Sequence, residues 1–267
     1  MKTRLAVVAL LCAAASVASA QRSASEGPEG IDSVYTEYLT QVLKRWVPLR
    51  ADMAPSSREA GSVAMMCVAT IGAERYVGMI QRQRIHATLS IVEDVLDEID
   101  HYKDLFPGTI DVRVLTGSRR PVPGTPTATR FDTAWVQRPP IFLLPDIRYE
   151  MSNQVEKTPT RAVYRYKFRV GDKLIASDGF VVVEAIDAAT TQFTEYDFFN
   201  GHWGPLPMWL VWRESLKAAF QSDVAIRLKA EQPTLSYARI AAEAERLASS
   251  ESERFERCFA DRQAVLP

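Results

Sequence analysis

The sequence predicts an α+β chain in which an antiparallel sheet is closed by a long helix toward the C-terminal end, with further helices at both ends. Three observations carry this. Between Asp146 and Phe199, successive segments alternate apolar and polar side chains and are joined by connections too short for parallel crossovers. From Trp209 to Leu228 the apolar residues return to three- and four-residue spacing, which marks one helix. A hydrophobic content of 47% with 24% charged residues over 267 positions describes a globular chain with one substantial core, and excludes disorder and fibrous repeats. Lys and Arg number 32 against 33 Asp and Glu, so there is no basic excess to neutralise a phosphate backbone, and nucleic-acid binding is not expected.

Taken from the N-terminus, residues 1–20 read as a secretory signal peptide. Lys2 and Arg4 form a positive start, Leu5 to Ala15 an apolar run too short to span a bilayer, and Ala18-Ser19-Ala20 a cleavage site before Gln21. The expected location is therefore secreted or periplasmic, with cleavage after Ala20. Removing this segment leaves 30 Lys and Arg against 33 acids, a mildly acidic chain. It also removes Cys12, leaving Cys67 and Cys258 in a compartment that permits disulfides. They are either bridged or two separate buried thiols.

Residues 21–30 mix Ser, Glu, Gly and Pro without apolar period and are expected to be a disordered lead-in. Residues 31–79 are expected to form an N-terminal helical extension. Val34, Tyr35, Tyr38, Leu39, Val42, Leu43 and Trp46 place a helix over Asp32 to Trp46, stopped by Pro48. Ser56 and Glu59 make a capping box that opens a second segment to Ile71, favoured as helix over strand. From Arg84 to Ile91 strict alternation predicts a strand with Ile85, Ala87, Leu89 and Ile91 on one face. Val92 to Phe106 returns to helical spacing, ending at Pro107-Gly108, and Ile110 to Leu115 reads as a strand. Gly117 to Pro126 reads as a loop, followed by a strand bearing Phe131 and Trp135.

In the sheet that follows, Ile147, Tyr149, Met151 and Val155 alternate with charged or polar residues, as do Tyr164, Tyr166, Phe168 and Val170. Gly171-Asp172 supplies a hairpin turn into Leu174 to Ile186, and Asp187 to Thr190 turns the chain into Thr191 to Phe199. The long helix carries Trp209, Trp212, Leu216, Phe220, Val224 and Leu228 and ends at Pro233. Residues 233–267 form a charge-rich helical tail.

The order of a strand, a helix with a Phe-Pro stop, several antiparallel strands and a long closing helix resembles the START-like superfamily, also described as Bet v 1-like, SRPBCC or polyketide cyclase-like. The resemblance covers residues 80–232. It is carried by "HATLSIVEDVLDEIDHYKDLFPG" from His86 to Gly108, "DGFVVVE" from Asp178 to Glu184, and "GPLPMWLV" from Gly204 to Val211. It implies a helix-grip fold, in which a curved sheet grips the closing helix around a cavity. On that scaffold Phe131, Trp135, Tyr149, Met151, Tyr164, Tyr166 and Phe168 from strands, with Trp209, Trp212, Leu216 and Phe220 from the helix, are expected to line an aromatic, uncharged space that takes a small hydrophobic molecule. The alternative is that the same residues fill a solid core.

No hydrolase elbow, zinc-protease helix, phosphate-binding loop or redox Cys pair is present, so no cofactor and no metal are expected. His86 and His101 read as surface residues. His202, in the loop before the closing helix, is the candidate for acid-base chemistry with Glu195 or Asp197, if their strand face is inward; if it is outward, they are solvated charges. Ile141, Phe142, Leu143 and Leu144 between prolines, together with Gly201 and Gly204, are candidate gate residues, and the apolar loop would suit transient membrane contact; the alternative is that these four pack under the N-terminal helix as part of the core. The first functional expectation is an exported carrier of a lipid-like or other hydrophobic ligand. The alternatives are a cyclase-, lyase- or hydrolase-like enzyme on the same scaffold, or an envelope interaction protein with a filled core.

Overall fold

The computed structural model describes residues 62–71, 74–139, 144–201 and 208–248. The signal peptide, the lead-in, the helix expected over Asp32 to Trp46, and positions Ile141, Phe142, Leu143, His202, Gly204 and Cys258 lie outside the described residues.

Among the described residues, nine strands form one antiparallel sheet: β1 (Ser62–Ile71), β2 (Glu74–Ile85), β3 (Thr109–Val114), β4 (Arg120–Val122), β5 (Thr125–Gln137), β6 (Ile147–Thr158), β7 (Arg161–Gly171), β8 (Leu174–Ala185) and β9 (Thr191–Gly201). Their spatial order is β1-β2-β9-β8-β7-β6-β5-β3, with β4 paired to β5. The meander from β5 to β9 is the one that the alternating pattern predicts. Register shifts at Glu150/Met151, Leu174/Ala176 and Thr109/Asp111 insert bulges. Bulges bend a strand and raise its twist, which helps the sheet curve into a trough.

Three readings from the sequence are corrected here. The segment to Ile71, favoured as helix within an extension over 31–79, is β1, and 74–79 already belong to β2. Its β-branched Val63, Val68, Thr70 and Ile71 suit a strand, and a continuous apolar run carries no period to distinguish the two. The alternation at Arg84 to Ile91 does not continue as strand. β2 ends at Ile85, and Thr88 begins a helix, its Oγ1 accepting from the Ile91 N–H at 3.4 Å. The loop over Gly117 to Pro126 contains the short β4, which pairs back on β5.

Helix α1 (Leu89–Asp97), a 3₁₀ turn (Ile99–His101) and α2 (Tyr102–Leu105) make the segment expected as one helix. It ends where the sequence places the stop. Gly108 takes φ +76°, and a Cβ there would lie 2.3 Å from the Arg138 carbonyl oxygen, so only glycine fits against β5's end. Helix α3 (Met208–Glu231) lies in the trough against α1 and β2, and residues 237–248 form a last helix, α4.

Among the described residues, two core clusters stand out. A large cluster joins α1, β2, β8, β9, α3 and α4 through Ile85, Val92, Val183, Phe193, Val224 and Ile240. A smaller one joins Ile99, Val112, Phe131 and Val155, with Tyr102, Trp135 and Tyr164 packed on it. Between them the trough is not filled.

Candidate functional site

The unfilled space is a cavity of about 400 Å³, bounded by the concave faces of β5 to β9, by the α1–α2 segment and by α3. Side chains at every second strand position enter it, because successive residues of a strand face opposite ways. Of the strand residues expected to line a cavity, Phe131, Trp135, Tyr149, Met151, Tyr164 and Tyr166 do so. Phe168 does not, because its ring lies over Gly171 beside the Cβ of Tyr149.

One half of the lining is aromatic. Tyr102 and Phe106 pack at 4.5 Å between centroids, and Phe106, Trp135 and Tyr149 stack in sequence at 6.3 and 6.0 Å with planes 3° apart. Their polar ends are satisfied at the walls. Trp135 Nε1–H donates to Thr133 Oγ1 at 2.9 Å, the Tyr149 hydroxyl to Gln137 Oε1 at 3.0 Å, and the Tyr102 hydroxyl to the Leu96 carbonyl. Burial is the main cause that pushes the Tyr102 and Tyr149 pKa values upward, with Asp97 and Glu195 adding to the first and Asp197 to the second. Both phenols therefore stay neutral donors.

The other half is acidic. Glu195 and Asp197 of β9 point inward, which settles the question that alternation leaves open. Gly179 is the reason Tyr166 reaches them. A Cβ at that position would meet the Tyr166 hydroxyl at 2.4 Å, so the ring lies flat over the glycine, and its hydroxyl stands 3.2 Å from Asp197 Oδ1 and 3.4 Å from Glu195 Oε1. Behind Glu195, α3 supplies Asp223, which is only 1% exposed. The buried Arg227, one turn further along α3, offsets part of the acidic charge. Burial first, then the charge of Glu195, holds Asp223 well above 3.8, and burial raises Glu195 above 4.5. Gln81 and Gln83 of β2 stand across the strand from Glu195 and Phe193, each 1% exposed, and Gln83 Nε2–H donates to the Asp223 carbonyl at 2.8 Å.

The helix corrects one expectation. Its cavity side in the described residues is Ser215, Ala218, Ala219, Ser222 and Ile226. Phe220, expected in the lining, is buried in the core at 2% exposure, and Val224 and Leu228 of the same stripe are core as well. The physical reason is that a helix seats its apolar stripe where burial is complete, and the adjacent small residues leave the space open. The side chains of Trp209, Trp212 and Leu216 fall outside the described residues. The lining is also not uncharged, since Glu195 and Asp197 belong to it.

At one end, Lys157 Nζ joins Asp97 at 2.6 Å and Glu93 at 3.3 Å, and the Tyr164 hydroxyl donates to Asp97 at 3.2 Å, tying α1 to β6 and β7. Arg119, exposed, lies 4.6 Å over the Phe131 ring at the rim. Of the gate candidates, Leu144 and Gly201 are described and half-buried. His86 is exposed, as expected, and His101 is half-buried, stacking on Tyr237 at 4.5 Å. Among the described residues, no group of His, Cys, Asp and Glu is arranged to hold a metal ion. Sequence reasoning missed Asp223, Gln81, Gln83 and Gly179. The signal for the glutamines was present, since Gln alternates with Arg in "QRQRI" and only one set can face inward.

No protein-family model matches the chain, and no curated protein matches it. Among solved structures the chain is similar to a STAR-related lipid transfer protein from Xanthomonas axonopodis, with 14% identity and a TM-score of 0.46 over 62% of this chain and 99% of that one. It is similar to the Zhui aromatase/cyclase from a Streptomyces species, with 17% identity and a TM-score of 0.42 over 64% and 94%. It is also similar to a START superfamily protein from Mycobacterium smegmatis, with 12% identity and a TM-score of 0.41 over 59% and 99%. By its own topology, a curved antiparallel sheet wrapped on a long C-terminal helix, the chain has the α+β helix-grip fold expected from the sequence.

Proposed function

We propose that the chain is exported and binds or carries a lipid-like or other small hydrophobic molecule in this cavity. The observation that carries the reading is the cavity itself, about 400 Å³ walled on one side by Tyr102, Phe106, Phe131, Trp135 and Tyr149. That is within the range of ligand pockets, and burying an apolar surface there is favourable by roughly 25 cal/mol per Å². A filled-core interaction protein would have no such space. Trp135 stands in the aromatic stack, so ligand binding changes its surroundings. Titration with fatty alcohols, sterols, isoprenoids and aromatic polyketides should give a saturable change in tryptophan emission for at least one class. The absence of any response, together with native mass spectra free of a co-purifying small molecule, sinks the reading. Export is tested by N-terminal sequencing of the protein from its natural compartment, which should begin at Gln21. Collection from a membrane is tested by Phe142→Asp with Leu143→Asp, which should slow transfer between vesicles; normal transfer removes that loop from the mechanism.

A second reading has one observation in its favour. Glu195 lines the cavity, burial raises its pKa, and the Tyr166 phenol stands 3.4 Å from it, a set that could serve acid-base chemistry on a bound ligand. Turnover of a cavity ligand that is lost in Glu195→Gln, with binding retained, would move the chain to a cyclase-, lyase- or hydrolase-like class.

A further inference from the structure

We infer that the mouth of the cavity between the β4–β5 hairpin and α1 is an anion subsite, where Arg119, with the hydroxyls of Thr127 and Thr129, holds the carboxylate or phosphate head of a single-chain amphiphile. The tail then runs along β5 onto the aromatic wall. The inference deepens the carrier reading and rests on it. Among the described residues three basic side chains line the cavity, and two of them are matched by acids. Lys157 meets Asp97 and Glu93, and Arg165 meets Glu156 at 3.4 Å. Arg119 has no acidic partner among the described residues; its contact is the Phe131 ring, whose centroid lies 4.6 Å from the guanidinium carbon. The chain on both sides of Arg119 is pinned. Ser118 Oγ donates to the Leu115 carbonyl at 2.6 Å and accepts from the Asp132 N–H at 3.1 Å, and Arg120 is the register partner of Arg130. Continuing that register sets Arg119 opposite Phe131, on the inward face of the hairpin. Phe131 is 5% exposed, and a guanidinium laid on a buried ring keeps its N–H edge for an oxyanion, so little freedom is lost when one binds. Thr127 and Thr129 take the alternate positions of β5 before Phe131, so they share its inward face and line the same mouth.

The surrounding charge has the sign an anion needs. From Val112 to Phe131 the chain carries Arg113, Arg119, Arg120 and Arg130 and no Asp or Glu. Asp97, the acid at this mouth, is taken up by Lys157 at 2.6 Å and by the Tyr164 hydroxyl at 3.2 Å. The acids of β9 fix the direction of the ligand. Phe131, Asn153, Tyr166, Gly179 and Asp197 are successive register partners from β5 to β9, so Asp197 stands four strands away from the Arg119–Phe131 pair. Arg227, buried behind Asp223, offsets part of the acidic charge there but does not line the cavity. An anionic head carried to that wall meets Glu195 and Asp197 away from bulk water, which is unfavourable, whereas at Arg119 it is paired. From Phe131 to Trp135 the strand rises roughly 14 Å, which leads the tail from the mouth to the stack of Trp135, Tyr149 and Phe106.

The test uses the purified chain and one decyl tail with four heads: decanoate, decyl phosphate, decanol and decyltrimethylammonium. Each is titrated near neutral pH, below its micelle concentration, by displacement of the neutral dye Nile red and by tryptophan emission. At least one of the two anions should bind about ten-fold or more tightly than decanol and the ammonium, the weight of one hydrogen bond between charged groups. The two anionic arms separate a carboxylate head from a phosphate. Arg119→Met keeps an apolar cover on Phe131 and removes the charge, and because Arg119 is exposed the fold does not depend on it. It should bring the preferred anion to within about three-fold of decanol and leave the affinity for decanol unchanged. Anions that bind no better than decanol, or a preference that survives Arg119→Met, overturn the inference and leave the carrier reading standing. If none of the four binds, the inference falls, and the carrier reading falls with it only where the sterols, isoprenoids and polyketides of the wider titration are silent too.

Discussion

At the scale of single residues, the acidic end of the cavity is built from positions that stabilise the fold poorly, which makes them measurable. Asp223 and Glu195 titrate near 3.8 and 4.5 when exposed, and higher in the folded chain. As pH rises through those values the unfolded chain gives up its protons first, while the folded chain keeps them. The folded state then binds more protons, so stability is complete below about pH 4 and falls as pH rises toward the folded-state values. The slope reaches about 1.4 kcal/mol per pH unit for each proton retained. Asp223→Asn has no proton to lose at that position and should flatten the fall; urea midpoints measured between about pH 4 and 8 check it, and parallel slopes in the two proteins refute the buried pair. Gly179 gives a second measurement. A methyl group there collides with the Tyr166 hydroxyl at 2.4 Å and with the Tyr196 carbonyl at 2.2 Å. Gly179→Ala should destabilise by roughly 1 to 3 kcal/mol through overpacking, and should weaken ligand binding by moving Tyr166 away from Glu195. In sequence neither position announces itself. Aromatic residues occur on both faces of β9, so alternation cannot choose a side, and Asp223 sits inside an apolar helical run where it reads as a solvated residue.

At the scale of elements, legibility followed period. The strands from β5 to β9 were readable because one face is wet and one is buried, which imposes the two-residue alternation. β1 was not, since its apolar residues run continuously and give no period. The start of α1 was masked by a few residues in which helical and strand spacing coincide, and only the Thr88 cap separates them. Helix α3 shows the limit most plainly. Its apolar stripe is visible in sequence, yet the residues that shape the site are the small ones beside it, Ala218, Ala219 and Ser222, which carry no hydrophobic signal. This yields a test of whether the space is real. Ala218→Leu keeps a strong helix former and places a larger side chain in the cavity. In an open cavity it should change stability by less than about 1 kcal/mol and lower ligand affinity at least ten-fold; in a tight core it should cost about 1 to 3 kcal/mol. Thermal or urea unfolding of this variant, beside a binding titration, distinguishes the two.

At the scale of the whole molecule, the order of elements carried the resemblance that implies the helix-grip arrangement, and a sheet with one apolar face and a helix with one apolar stripe have few ways to cover each other. What the order does not say is how completely they do so, and here the two core clusters matter. The cluster around Ile85, Val183, Phe193 and Val224 is closed by helices on one side, whereas that around Ile99, Val112, Phe131 and Val155 is small, and the cavity lies between them. A ligand occupying that space would contact both, so binding should stabilise the folded chain as a unit. At a hundred times its dissociation constant it adds about 2.7 kcal/mol, which for a protein of this size raises the melting temperature by roughly 5 to 10 °C. The gain should not be felt equally. The larger cluster, which also takes in Leu105 of α2, should open only with global unfolding, while β5 and β6 rest on the smaller one and on the aromatic wall of Tyr102, Trp135 and Tyr149. Hydrogen exchange with and without a ligand found by the tryptophan titration should therefore slow most in β5 and β6 and least in β8 and β9 beside Val183 and Phe193. Uniform slowing would mean that both clusters open together even in the empty chain, and slowing confined to residues 237–248 would place the ligand outside the cavity altogether.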